Sequence, residues 1–249
     1  MAKEKKNWDQ RLFDDTGRHL DRFGLLLVLS VVTVTVNSLI DLDNPTESLA
    51  SEVGWVAVSL ITGLTLILAL RSSGLVRRIR RIAEIAVVIV VGGAILISIS
   101  EVVGTSVGTG WSGARPSGLW VIVAFASPLV VLRRIFVQDK ITKATIYGAI
   151  SIYLLIAIAF NYAFLSVSSL MSDPFFVQGE QLTTAYMYFS LTTITTLGYG
   201  DLAPASELGR FLATGEALVG QVFLVTVVAR IVALLGTTRP SEALKPTSD

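Results

Sequence analysis

Thr192-Thr193-Ile194-Thr195-Thr196-Leu197-Gly198-Tyr199-Gly200-Asp201 lies near the end of the chain. A threonine-rich segment gives way to two glycines around a tyrosine, then to an aspartate, with long apolar runs on either side. Gly198 and Gly200 lack a Cβ and reach backbone angles closed to other residues. Consecutive carbonyls can therefore turn toward one axis instead of alternating, which offers a column of oxygens along an extended chain. At membrane depth such backbone is tolerated only where it is buried in protein or lines water. Gly-Tyr-Gly alone is an ordinary turn; the threonines before it, the acid after it and the apolar flanks make the difference.

The flanks are part of a wider pattern. Of 249 residues, 52% are hydrophobic and 16% charged, and the mean hydropathy is +0.68. Several mostly apolar runs of about 18 residues each reach roughly 27 Å as helix, close to the hydrocarbon thickness of a bilayer. The composition is that of a polytopic membrane protein. A net charge of +1 carries no argument for a nucleic-acid partner, and the absence of cysteine excludes a disulfide framework and a thiolate metal site.

Residues 1–22 carry Lys3, Lys5, Lys6, Arg11, Arg18 and Arg22 among Trp8, Leu12, Phe13 and Leu20, a pattern suited to a helix at the membrane surface in contact with lipid. They lack the apolar core of a signal peptide, so the first apolar run is expected to be retained as a span. His19, the single histidine, reads as a solvated interfacial side chain. Four apolar segments follow, at 23–40, 53–70, 82–100 and 119–136, and the loops between them orient the chain. The 41–52 loop has no Lys or Arg, whereas Arg71, Arg77, Arg78, Arg80 and Arg81 crowd the next connection. Arg115 is the only base in 101–118, and Arg133, Arg134, Lys140 and Lys143 follow the fourth segment. The positive-inside rule places the amino terminus and the Arg-rich connections in the cytoplasm. Glu84 is expected to pair along its helix with Arg80. Pro128 should kink the fourth segment unless a neighbour satisfies the carbonyl it frees. A glycine-rich run at 105–110 reads as loop, since no amphipathic helix precedes it.

A fifth segment spans 141–171, and Asn161 in its apolar stretch is expected to bond to another helix. Residues 172–182 read as an extracellular loop whose acidic groups raise local cation concentration. Thr183 is a candidate N-cap for a short helix, residues 195–200 return as an extended strand, and 211–235 form the last helix. Glu216 and Arg230 are ionisable groups inside that helix, which makes them functional candidates. For Glu216 the structural alternative is a hydrogen bond to the threonines of the short helix, and the sharper one a proton-sensitive gate. Arg230 is expected to face headgroups or another helix.

Thr195-Thr196-Leu197-Gly198-Tyr199-Gly200-Asp201 resembles the selectivity filter of potassium channels, whose common form is TTVGYGD. Leu197 is a conservative departure. The resemblance covers residues 141–235 and implies that the carbonyls of Thr196, Leu197, Gly198 and Tyr199, with the Thr196 hydroxyl, form the potassium sites. It implies supporting roles for Thr195, Gly200 and Asp201, and for Tyr188 and Phe189, which match the aromatic pair behind the filter. Thr192 falls where some channels carry a carboxylate that tunes inactivation. Gly220 falls at the inner-helix hinge position, and its alternative reading is close helix packing. Thr192, Glu216, Gly220 and Arg230 are thus the gating candidates.

The implied fold is an all-α membrane protein: a four-helix peripheral domain over 23–136 and a two-helix pore domain over 137–235. In the latter, an outer helix at 141–171 and an inner helix at 211–235 flank a re-entrant pore helix at 183–194 and a filter at 195–200. One filter per chain implies a homotetramer. The fourth segment has no Lys or Arg before Arg133, so steep voltage gating is not expected. The short 137–140 connection places the four helices beside their own chain's pore segment. Residues 236–249 are expected to be a short cytoplasmic tail, with no recognisable ligand-binding domain. The implied activity is passive conduction across the plasma membrane, with no enzyme chemistry and no cofactor beyond the permeant potassium ion. The alternatives are a weakly selective cation channel and a subunit of a potassium-uptake transporter; the single complete filter argues against the latter.

Overall fold

The computed structural model describes residues 23–39, 48–72, 77–102, 118–137 and 143–237. The amino-terminal surface segment with His19, the 105–110 run and the end of the carboxyl tail lie outside them. The described residues hold seven helices: α1 (Phe23–Leu39), α2 (Ser48–Ser72), α3 (Arg77–Val102), α4 (Gly118–Val137), α5 (Lys143–Leu170), α6 (Thr183–Ile194) and α7 (Glu207–Thr237). Two stretches, Thr145–Leu170 and Glu207–Val227, are long and apolar enough to cross a membrane, and Phe23–Leu39, Val56–Arg71 and Trp120–Arg133 are shorter apolar helices. Among the described residues there is no β-strand, only isolated bridges from Phe176 to Gly179 and Pro204.

Hydroxyl groups join α2 to α1 and to α5. The Thr33 and Thr65 hydroxyls meet at 2.9 Å between α1 and α2, and Thr62 meets the Tyr162 hydroxyl at 3.0 Å between α2 and α5. Glu84 bonds to Arg71 of α2 at 3.1 Å and lies 3.6 Å from Arg80 of its own helix. The exposed pair thus ties α2 to α3 more than it reinforces α3 alone, and contributes at most about 1 kcal/mol. Along α4 and α5, Trp120 stacks on Tyr162 at 5.4 Å and Phe125 meets Phe160 edge-on at 5.0 Å. Within one chain, α4 lies against α5.

Pro128 removes the amide that would bond to the Ala124 carbonyl one turn earlier. The Ser127 hydroxyl donates to that carbonyl at 2.8 Å, and both Ser127 and Ala124 are buried. Ser127→Ala should destabilise the protein by about 1–3 kcal/mol, the effect of stranding a buried acceptor. In a Pro128→Ala background the loss should vanish, because the restored amide serves the same carbonyl. Thermal unfolding of the four proteins in detergent measures both.

Asn161 does not make the bond expected of it. It is 1% exposed, and neither its Oδ1 nor its Nδ2 has a partner among the described residues. The rotation of α5 is set by Phe160, Tyr162 and Phe164, whose rings pack on its neighbours. The interhelical hydrogen bond at this level goes to Tyr162 instead.

Thr183 is not the N-cap of α6: the helix already includes it, and the capping position is Leu182, with extended φ −61° and ψ 154° and no side-chain cap bond. Thr183 is buried within the first turn, so it is not available in the extended geometry a cap requires. The last helix starts at Glu207 rather than 211, because the Ser206 hydroxyl accepts from the Gly209 amide at 3.1 Å. That bond to the third helical residue is an N-cap.

Candidate functional site

Between α6 and α7 the chain runs through the glycine stretch. Helix α6 leaves its last four carbonyls without intrahelical amides, and each finds a donor. The Leu191 carbonyl accepts from the Thr195 amide and hydroxyl at 3.2 and 2.7 Å. The Thr192 carbonyl takes the amides of Leu197 and Gly198 at 2.9 and 3.1 Å, and the Thr193 carbonyl takes that of Thr196 at 2.9 Å. The Ile194 carbonyl accepts from the Tyr153 hydroxyl of α5 at 2.9 Å. The pair of bonds to Thr192 and Thr193 is a Schellman motif, which requires a left-handed residue just past the helix. Thr196 occupies that place with φ 56°. For a β-branched residue this conformation is strained by about 1–3 kcal/mol, and the Schellman bonds hold it there.

The positive angles continue at Gly198, φ 45°, and Gly200, φ 80°. Thr196, Gly198 and Gly200 thus alternate with Leu197 and Tyr199, whose φ is ordinary. In a regular strand successive residues face opposite ways; a positive φ at every second residue breaks that pattern and lets successive carbonyls turn to one side. The Thr196 hydroxyl, at the inner end, accepts from Gln221 Nε2 of α7 at 3.3 Å. Neither the left-handed angle of Thr196 nor the Gln221 contact is marked by the residue pattern of the chain.

The outer end is tied down by side chains and by the preceding loop. The Tyr188 hydroxyl donates to Asp201 Oδ2 at 2.8 Å. The Val177 amide bonds to the Ala203 carbonyl at 2.9 Å and the Ala205 amide to the Phe175 carbonyl at 2.9 Å. Gln178 accepts from the Ala203 amide at 3.1 Å. Phe175 and Phe176 are 1% exposed and anchor the loop in a ring cluster with Phe164, Tyr186 and Phe189. Phe189 therefore packs into this cluster, while Tyr188 reaches the end of the glycine stretch at Asp201. The Tyr199 ring is 68% exposed on the single chain.

Helix α7 presents two stripes. Glu216, Gly220, Phe223 and Val227 are buried at helical spacing, while Phe211, Leu218, Val222 and Val225 are exposed on the other side. A Cβ on Gly220 would come within 2.7 Å of the Ile194 carbonyl oxygen and Cγ1, so close approach accounts for this glycine. Glu216 is 0% exposed and bonds to Ser190 at 2.5 Å, not to the threonines of α6. Thr192 is buried, its hydroxyl donating to the Phe189 carbonyl at 3.0 Å, and Arg230 is half-buried. Among the described residues no cluster of three or more His, Cys, Asp or Glu is placed to hold a metal ion.

The helix pair, the short helix between them and the alternating loop are the part of the chain that resembles known proteins. The Ion_trans_2 family model, described as ion channel, matches residues 149–236, from α5 through the glycine stretch to α7. Among curated proteins, the voltage-gated potassium channel Kch of Escherichia coli (strain K12) is 34% identical over 92 residues, 37% of this chain. The match spans about a fifth, 21%, of that relative's length. No solved structure matches the chain.

Proposed function

We propose that the chain is the subunit of a potassium-selective channel, in which four copies surround one axis and line it with the carbonyls of Thr196, Leu197, Gly198 and Tyr199. The observation that carries this reading is the alternation of positive φ at Thr196, Gly198 and Gly200. An ion sheds its water only where oxygens replace it, and a backbone that brings successive carbonyls to one side supplies them. One chain supplies one side of such a cage, so the ring needs symmetric copies. The exposed stripe of α7 and the exposed Tyr199 ring supply apolar surface for neighbouring copies or lipid. Asp201, held by Tyr188, and Asp173 and Glu180 of the outer loop place negative charge at the mouth.

In this reading six helices span the plasma membrane with both termini in the cytoplasm, and α6 re-enters from outside. Transport is passive, and the only ion required is the one conducted. Helix α4 carries no base between Trp120 and Leu132, so opening is not steeply voltage-dependent. The purified chain in planar bilayers should reverse near the potassium equilibrium potential when potassium and sodium gradients oppose each other. Reversal near zero would replace the reading with a weakly selective cation channel.

A further inference from the structure

Behind the filter, two triads of contacts stack one helical turn apart on three helices at once. The upper joins the Ala157 carbonyl of α5, the Ser190 hydroxyl of α6 and the Glu216 carboxyl of α7. The lower joins the Tyr153 hydroxyl, the Ile194 carbonyl and Gly220. The lower triad sits directly on the last turn of α6, from which the filter stretch continues. The upper is the polar tie between α7 and α6.

Its proton count is constrained. The Ser190 hydroxyl lies 2.8 Å from the Ala157 carbonyl and 2.5 Å from Glu216 Oε1, yet it owns one proton. The Ala157 carbonyl can only accept. If Ser190 donates to it, the proton in the short contact with Glu216 comes from the carboxyl. An ionised carboxylate here would keep one hydrogen bond at most, since Oε2 has no partner among the described residues and the side chain is fully buried. Such an ion is among the costliest groups a protein can bury. Among the described residues of the neighbouring helices no base is placed to compensate: α6 carries neither acid nor base, and its Tyr186 and Tyr188 bond to Ser168 and Asp201. From α5 the titratable neighbour is Tyr153, engaged with Ile194. On α7 itself, Glu207 and Arg210 lie about two turns above and Arg230 about four turns below.

We propose that Glu216 is a protonated latch, a positioning residue that as a neutral acid fastens the inner helix to the pore helix through Ser190 and thereby holds the filter in its conducting form. The proposal rests on the channel reading. When Glu216 loses its proton, one hydroxyl proton is left for two acceptors, Ala157 and the carboxylate, and one side of the triad opens. Conduction is therefore sustained at acidic and neutral pH and falls as alkaline pH removes the proton.

The test is potassium flux from proteoliposomes of the full chain across a pH series, with thermal melting of the same preparations. Wild-type flux should fall several-fold toward alkaline pH and melting should move to lower temperature. In Glu216→Gln, whose amide donates to Ser190 but cannot ionise, both responses should be lost. Ser190→Ala, which removes the relay but keeps the carboxyl, should lower flux at every pH. A Gln variant that keeps the wild-type pH responses, or a wild type that shows none, overturns the latch. If no wild-type preparation conducts but melting responds to pH and Glu216→Gln abolishes that response, the latch stands and the channel reading falls.

Discussion

In the proposed channel, alanine at Gly200 should abolish potassium selectivity while leaving the protein folded. Gly200 has φ 80°, and a Cβ placed on it meets nothing within 4 Å, so the substitution creates no clash. Its penalty is the backbone conformation itself, about 1–2 kcal/mol for an L-residue in left-handed space. That is a small part of the stability of a domain, but it acts on a segment where little opposes it. Thr196 shows the contrast: it tolerates φ 56° because the Schellman bonds to Thr192 and Thr193 enforce the angle. Gly200 has no backbone hydrogen bond among the described residues, so alanine there relaxes to negative φ and turns the neighbouring carbonyl away from its row. In the proposed ring of four copies every subunit would lose the same oxygen. Melting should change by no more than about 1–2 kcal/mol, while the reversal potential under opposed potassium and sodium gradients collapses toward zero. An alanine variant with wild-type reversal would show that the alternation does not shape the ion sites.

What is legible in the sequence follows from how local its cause is. An apolar run of helical length, bounded by charges, leaves little choice but helix, and the all-helical character can be read from those runs. Gly198 and Gly200 announce their angles because glycine is the residue that needs no help to adopt them. Thr196 does not, since its angle comes from the way α6 ends and not from its own preference. The start of α7 is encoded in Ser206 followed by Glu207, an N-cap and an acidic first turn, a local signal that lies outside the apolar run of the helix. The partners of buried polar groups were the least legible. Glu216 could be recognised as unusual, yet its partner lies on another helix at a position, Ser190, that looks like any serine. Asn161 shows the reverse: the residue type promises a hydrogen bond, and the packing of Phe160, Tyr162 and Phe164 leaves it unmade.

Gly220→Ala should destabilise the protein by about 1–3 kcal/mol, the usual range for forcing a methyl group into a packed interface. The new Cβ would meet the Ile194 Cγ1 and carbonyl oxygen, each at 2.7 Å. A side-chain tip can rotate away; a carbonyl at the end of a helix cannot, and this one also accepts from Tyr153. Ile194→Ala in the same chain removes the first clash and not the second, so it should recover only part of the loss. The pair also separates packing from hinging. If Gly220 serves as a flexible joint, alanine stiffens α7, and trimming Ile194 recovers nothing. If it serves as a seat for α6, the two substitutions couple, and the coupling energy from the double-mutant cycle of thermal unfolding is non-zero. The seat lies one turn below the Glu216 latch, so alanine at Gly220 should lower potassium flux even at acidic pH, where the latch remains fastened. That outcome would place control of the filter in the fit between α6 and α7 rather than in a bend of α7 alone.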